Sequence, residues 1–182
     1  MPYLLFVLFS FASLAALVLP GQSDWLLLTL PAALAGLWLA LRTRPRARAG
    51  RPVIIDGSNV MQWKDGEPGL APVREVIGQL RAAGYEPGVV FDANAGYKLE
   101  GRYLHDGAFA RRLNLARRNV MIVPRNTPAD PMILTAARDY GAPVVTCDRF
   151  RDWRADFPEI ATPGFLIAGR YEGRRLVLDL PA

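Results

Sequence analysis

Five aspartates in this chain sit where carboxylates could do chemistry together. Three of the four short apolar runs within residues 52–182 end directly in one. Val53-Ile54-Ile55 leads into Asp56, Val89-Val90-Phe91 into Asp92, and Val144-Val145-Thr146-Cys147 into Asp148. Asp130 precedes Pro131 where an apolar helical pattern starts, and Asp152 follows Asp148 by four residues. Carboxylates gathered in one place repel and raise one another's pKa. A divalent cation removes that cost, and an all-oxygen donor set selects Mg2+ or Mn2+ over softer metals. Such a centre suits hydrolysis at phosphorus, where it activates a water and neutralises developing charge.

Each aspartate also has a purely structural use. Asp56-Gly57 is a turn dipeptide, and Asp130 before Pro131 reads as a helix N-cap with proline at the first helical position. Asp148 can close an Asx turn, Asp92 can end a strand, and Asp152 can be a solvated charge. Recurrence of the same acid at one edge favours the shared site, because capping accepts Ser, Thr or Asn equally well. His105 is the single histidine and reads as a surface residue, while Cys147 reads as a small side chain beside the site. No zinc pattern is present, and neither GxxxxGK[ST] nor GxGxxG occurs, so no nucleotide cofactor is expected.

The elements that would position these residues alternate along residues 52–182. Strand patterns fall at 52–55, 88–91, 120–123 and 144–146, with a closing pair at 165–168 and 176–178. Helical spacing joins Val73, Val76, Ile77, Leu80 and Ala83, then recurs over 109–118 and 130–140. Buried apolar strands separated by helices predict an α/β domain with a mostly parallel sheet flanked by helices. Ligands of such sheets bind outside the carboxyl ends of the strands, where the aspartates fall.

The rest of the chain differs in composition. Residues 1–41 contain one charge, Asp24, and two uncharged apolar runs, about 3–19 and 25–41. Each is 17 residues, roughly 25 Å as helix, at the short end of a bilayer core. The expectation is an N-terminal transmembrane helical hairpin over 1–42, seated in the lipid bilayer. The Arg-rich linker at 43–51, with Arg42 just ahead of it, would place the folded domain on the cytoplasmic face of the cell (inner) membrane. One cysteine excludes a disulfide scaffold and agrees with a reducing compartment. Disorder is excluded by the 51% hydrophobic content.

The domain itself is close to neutral, but its charge is uneven. Lys98, Arg102, Arg111, Arg112, Arg117, Arg118 and Arg125 face only Glu100 and Asp106 within 98–125. A basic region beside an acidic edge suits a phosphate backbone, and equally a solvated helix face.

The motif VIIDGSNVMQW (Val53–Trp63) resembles the NYN branch of the PIN-like nucleases, in particular the regnase-type ribonuclease domain. VVTCDRFRDW (Val144–Trp153) resembles the same family's strand followed by Asp-x-x-x-Asp, and ADPMIL (Ala129–Leu134) stands where that family has an acidic pair. The resemblance spans about 52–168 and implies a PIN-like fold with metal-dependent cleavage of RNA. It implies an acidic site of Asp56, Asp130, Asp148 and Asp152, with Asn59 orienting a carboxylate or water. Asp92 lies outside that pattern and joins the metal set on its position alone. Ser58, Lys98, Arg102, Arg111, Arg112 and Arg118 are the expected contacts to RNA, single-stranded in preference to duplex. PIN-like domains often dimerise, which makes a homodimer an expectation as well. Ala129 replaces one acidic residue, so a tethered RNA-binding or scaffold module stands as one alternative, and a DNA or structure-specific nuclease as another.

Overall fold

The computed structural model describes residues 26–42, 50–64 and 66–181, together with Leu8, Ser10, Phe11 and Leu14. The chain divides into two compact units, Met1–Arg48 and Ala49–Ala182. In the first, helix α1 (Leu26–Arg42) is 17 residues long and carries Pro31 within it. Leu27, Leu28, Leu34 and Trp38 are exposed along it, Leu27 by 79%. Of the expected hairpin, the 3–19 run falls almost wholly outside the described residues, as does most of the arginine linker. Among the described residues no helix is long and apolar enough to cross a membrane.

The second unit is built on a sheet of five parallel strands in the order β3-β2-β1-β4-β5. These are β1 (Arg51–Asp56), β2 (Tyr85–Phe91), β3 (Val120–Ile122), β4 (Val144–Val145) and β5 (Leu166–Ile167). Period-two alternation in β1 feeds two cores at once. Val53 and Ile55 lie in one apolar cluster with Val89, Phe91 and Phe109, while Ile54 joins Val90, Val144, Ile133 and Leu134 in another. Phe91 and Phe109 stack with ring centroids 4.3 Å apart, worth about 1 kcal/mol beyond their buried area.

Helix α2 (Gly57–Val60) leaves β1 directly, and α3 (Leu70–Ala82) buries Val73, Val76, Ile77 and Leu80 as its spacing predicts. Then come α4 (Ala95–Glu100) and α5 (Asp106–Leu113) between β2 and β3, and α6 (Ala129–Tyr140) between β3 and β4. Several helical boundaries differ from the sequence reading: α3 begins at Leu70 and α5 at Asp106, each three residues before the apolar pattern read for it. The pattern over 109–118 is cut at Asn114, whose left-handed backbone (φ 52°) ends α5, and a 3-10 turn, Arg117–Asn119, then leads into β3. Helix α6 starts one residue earlier than read, with Pro128 rather than Asp130 as its N-cap.

The closing strands also part company. The 165–168 run joins the parallel sheet as its edge strand β5. The 176–178 run pairs instead within a separate antiparallel hairpin of β6 (Gly169–Glu172) and β7 (Arg175–Leu178). Chain direction reverses at Gly173, in left-handed backbone at φ 62°, which a glycine adopts without cost.

Candidate active site

The sheet order reverses direction at β1, because the chain adds β2 and β3 on one side of it before returning to place β4 on the other. The crevice outside the carboxyl ends of strands at such a point is where open α/β sheets bind ligands. Asp56 ends β1 there, and Asp148 follows β4 by three residues. Asp92 follows β2, and Asp130 lies in the first turn of α6 just beyond β3.

Hydrogen bonds tie this edge together through groups that look incidental in the sequence. The Asp56 carboxylate caps α2, its Oδ1 accepting from Asn59 N–H at 3.1 Å. Its Oδ2 accepts from the Thr146 hydroxyl at 3.1 Å, and Thr146 Oγ1 in turn accepts from Asp148 N–H at 3.0 Å. One buried hydroxyl therefore sets the spacing of the two strand-end aspartates. Asn59 Oδ1 accepts from both Trp63 Nε1 (2.7 Å) and Cys147 N–H (3.0 Å), which binds α2 to the exit of β4. With that oxygen spent, its amide NH2 is the part left to meet a carboxylate, water or phosphate.

Ser58, expected as an RNA contact, is buried, and its hydroxyl accepts from Asp92 N–H at 2.8 Å. It straps α2 to the end of β2. Gly57 is required by the same crowding: a Cβ there would come within 2.5 Å of Phe91 Cε1.

Asp148 and Asp152 ride on a turn held from below. Phe150 N–H donates to Asp148 Oδ1 at 2.9 Å, leaving Oδ2 without a hydrogen bond in the protein among the described residues. Phe150 itself is buried in left-handed backbone (φ 43°, ψ 45°), a conformation that costs a bulky residue about 1–3 kcal/mol. Its ring packs in the second apolar cluster, and that burial offsets the cost. Asp152 is exposed in the 3-10 turn Arg151–Trp153 that follows. Trp153 Nε1 donates to Asp130 Oδ2 at 3.2 Å, so this turn is also pinned to α6.

The electrostatics mark the carboxylates as neighbours. Burial pushes the Asp56 carboxyl up to about 6, and the charges of Asp92 and Asp130 add to it, against the hydrogen bonds from Asn59 and Thr146 that hold it down. The Asp130 carboxyl is also raised, by burial first and then by Asp148, Asp92 and Asp152, against the Trp153 indole. Asp92 thus acts on both Asp56 and Asp130, and Asp148 and Asp152 act on Asp130. They are not clasped: among the described residues no three or more His, Cys, Asp or Glu side chains are close enough to hold a metal ion directly. Their donor chemistry nevertheless fits a hard divalent cation, which takes oxygen ligands directly or through its own waters and would relieve the mutual repulsion.

The basic residues are sorted by topology. Arg102 and Arg112 both pair with Glu100, at 2.8 and 2.6 Å, and Arg117 pairs with Asp106 at 2.9 Å. Lys98 and Arg111 are exposed on α4 and α5. Arg118 precedes β3 and so sits at the amino edge of the parallel sheet, away from the aspartates. Three other arginines occupy the acidic edge. Arg149, Arg151 and Arg154 are exposed around the Asp148–Asp152 turn, and none makes an ion pair among the described residues. Their signal in the sequence was the interleaving DRFRDWR, which a count of net charge hides. Ala129 is half-buried at the start of α6, packed on the second cluster, so this corner carries one carboxylate, Asp130. His105 is exposed but caps α5, its Nδ1 accepting from Ala108 N–H at 3.3 Å.

The family model for the Zc3h12a-like ribonuclease NYN domain matches residues 49–162. No curated protein matches the sequence significantly. Among solved structures, nuclear proteinaceous RNase P 2 (PRORP2) from A. thaliana is similar with a TM-score of 0.58 at 16% identity, over 80% of this chain and 35% of that one. Another structure, Arabidopsis thaliana nuclear protein-only RNase P 2 (PRORP2), gives 0.53 at 19%, over 80% and 34%. The chain spans about a third of the length of these structures, and the likeness is one of fold. With well over half of its length matched, including every aspartate at the carboxyl edge of the sheet, the chain belongs to the Zc3h12a-like ribonuclease NYN domain family.

Proposed function

We propose that the chain is a metal-dependent endoribonuclease held at a membrane by its N-terminal residues. The observation that carries the nuclease reading is the placement of Asp56, Asp92, Asp130 and Asp148 at the carboxyl edge of one parallel sheet, where burial and neighbouring carboxylates raise both Asp56 and Asp130. Asp56, Asp130 and Asp148, with Asp152 and Asp92, would hold Mg2+ or Mn2+ directly or through water. When bound there, the cation supplies charge neutralisation and Lewis acidity at a phosphodiester.

The protein's own groups have separable tasks. Asp148, exposed and with no hydrogen bond on Oδ2 among the described residues, accepts the proton of the attacking water there. Arg149, Arg151 and Arg154 hold the flanking phosphates, and Arg–phosphate pairs are frequently bidentate. The Asn59 amide NH2 orients a carboxylate or the water. Water adds to phosphorus and the bond to the 3′-oxygen breaks, that oxygen taking a proton from solvent, which leaves a 5′-phosphate and a 3′-hydroxyl. An edge with exposed arginines suits a single strand better than a duplex.

The membrane reading is supported by the exposed Leu27, Leu28, Leu34 and Trp38 of α1 and by the arginines that follow it. It places the domain on the cytoplasmic face. The rival is a tethered RNA-binding module without turnover, which Ala129 favours by removing one carboxylate.

One experiment separates these readings. The full-length protein and its Asp148→Asn variant are incubated with labelled single-stranded RNA, and with DNA of the same sequence, in Mg2+, Mn2+ or EDTA. Cleavage of RNA that requires a metal and drops at least 100-fold in the variant is the expected result. Salt-sensitive binding without cleavage in either metal would establish the binding module instead, and preferential cutting of DNA would reassign the substrate.

A further inference from the structure

A cleft of about 670 Å3 opens beside the acidic edge, between the start of α4 and the loop from β3 to α6. Asp92 lies on one wall, and Pro128, two residues ahead of Asp130, on the other. The cleft therefore shares Asp92 with the acidic site and leads away from it. Its lining is aromatic, cationic and amide-rich: Tyr97, Arg125, Asn94, Asn126 and Thr127. The side chains of Asn94, Asn126 and Thr127 make no hydrogen bond within the protein among the described residues, so their donors and acceptors remain available to a ligand.

The arginine is built into place. Thr127 N–H donates to Pro124 C=O at 3.2 Å, and Asn126 is left-handed (φ 62°), the geometry of a turn that projects Arg125 from its corner. Arg125 Nη2 then donates to the Tyr97 hydroxyl at 2.7 Å, with the guanidinium carbon 5.8 Å from the ring centroid. On the other side of Arg125 lies a second hollow of about 490 Å3, which shares Ala93 and Arg125 with the first and is faced by Tyr103. Tyr97 and Tyr103 are 43% and 51% exposed, so both rings are open to a ligand. The order leading away from the aspartates is thus ring, guanidinium, ring.

That alternation of ring and cation is the kind that takes a single-stranded nucleic acid, in which bases stack on aromatic faces and phosphates between them meet cations. We infer that these two hollows form a base-binding track for single-stranded RNA. The nucleotide beside the scissile phosphate places its base in the larger cleft against Tyr97, and the following base meets Tyr103. Arg125 takes the phosphate that joins them. Asn94, Asn126 and Thr127 face the edge of the first base, which makes this cleft the place where one base is preferred over another. The track rests on the ribonuclease reading of the acidic edge and adds to it the direction in which the strand leaves.

The test measures binding apart from cleavage. Fluorescence anisotropy in EDTA reads the affinity of full-length protein for a labelled ten-nucleotide RNA and for the same ribose-phosphate strand without bases. Stacking on a tyrosine is worth roughly five- to 100-fold in affinity per base, so Tyr97→Ala and Tyr103→Ala should each weaken binding of the base-bearing strand by that much. Tyr103→Ala should leave affinity for the abasic strand unchanged, and Tyr97→Ala, which also removes the hydroxyl that holds Arg125, should lose on that strand no more than Tyr97→Phe does. Tyr97→Phe, which keeps the ring and loses the hydroxyl, should bind nearly as wild type, and Arg125→Ala should weaken both strands. Tyr140→Ala, which removes an exposed tyrosine at the end of α6, is the surface control. Tyrosine variants that bind the base-bearing strand as wild type, or lose equally on the abasic one, overturn the track, as does a wild-type protein with no affinity for either. Cleavage in Mg2+ or Mn2+ is read separately, so a protein that cuts RNA but ignores the tyrosine changes retains the nuclease and loses the track.

Discussion

At the scale of single residues, Asp56 is in tension with the fold that contains it. Its carboxyl is buried and raised to about 6, compared with 3.8 in an unfolded chain. Between those values the folded state binds the proton more tightly, so stability falls as pH rises from about 4 to about 6 and stays lower above that. The full penalty is of order 3 kcal/mol. Asp56→Asn removes it while keeping an oxygen to cap α2. In EDTA the variant should therefore melt higher than wild type at pH 8, and the difference should vanish near pH 4. Its RNA cleavage in Mg2+ or Mn2+ should be lost. Equal melting temperatures at both pH values would show that the carboxyl is not destabilised. Thr146 belongs to the same balance, since its hydroxyl steadies the Asp56 carboxylate and the Asp148 backbone at once. A threonine two residues before an aspartate is too common for the sequence to signal this, because the contact spans 90 residues.

At the scale of elements, the corner from β1 into α2 explains why glycine follows Asp56. The fully buried Phe91 ring occupies the space a side chain would need, and it is fixed by its stack on Phe109. Gly57→Ala should cost about 1–3 kcal/mol by overpacking and reduce cleavage as well, because Asp56 and Asn59 flank the displaced residue. Adding Phe91→Leu should recover part of the loss, so that the double variant is more stable than the sum of the single effects predicts in urea melts. Strict additivity would place the strain elsewhere. The elements were legible to the extent that their periodicity was strong. Helix α3 shows its buried positions plainly, whereas the 109–118 pattern runs past a break that only Asn114's left-handed turn creates. The closing strands were legible as strands but not in their pairing, because partner choice depends on which edge is already occupied.

At the scale of the whole molecule, the uneven charge and the apolar N-terminal residues bear on how the protein meets its surroundings. If residues 1–42 hold the chain in a bilayer, the full-length protein should sediment with membranes through high salt and alkaline carbonate and be released by detergent. A chain lacking 1–42 should be found in the soluble fraction. Full-length protein that high salt alone releases would reduce the N-terminus to a peripheral contact made by its arginines. The domain's near-neutral total hides a sorting of basic residues by strand direction. Arg118 precedes a parallel strand and Arg125 follows the same one, so seven residues of chain carry them to opposite edges of the sheet.

Hydrophobic period, turn residues and the repeated strand-Asp pattern were enough to determine an α/β domain with its acids at one edge, because those are local properties and parallel strands share one direction. The DGSN motif and its downstream companions were enough to indicate the family. Only the tertiary structure decided that Asp130 is not a cap but an indole-bound member of the acidic centre. It alone turned Ser58 inward, and it drew Arg125, Tyr97 and Tyr103 beside the site while carrying Arg118 away. Each of these depends on contacts between residues distant along the chain, which no local pattern encodes.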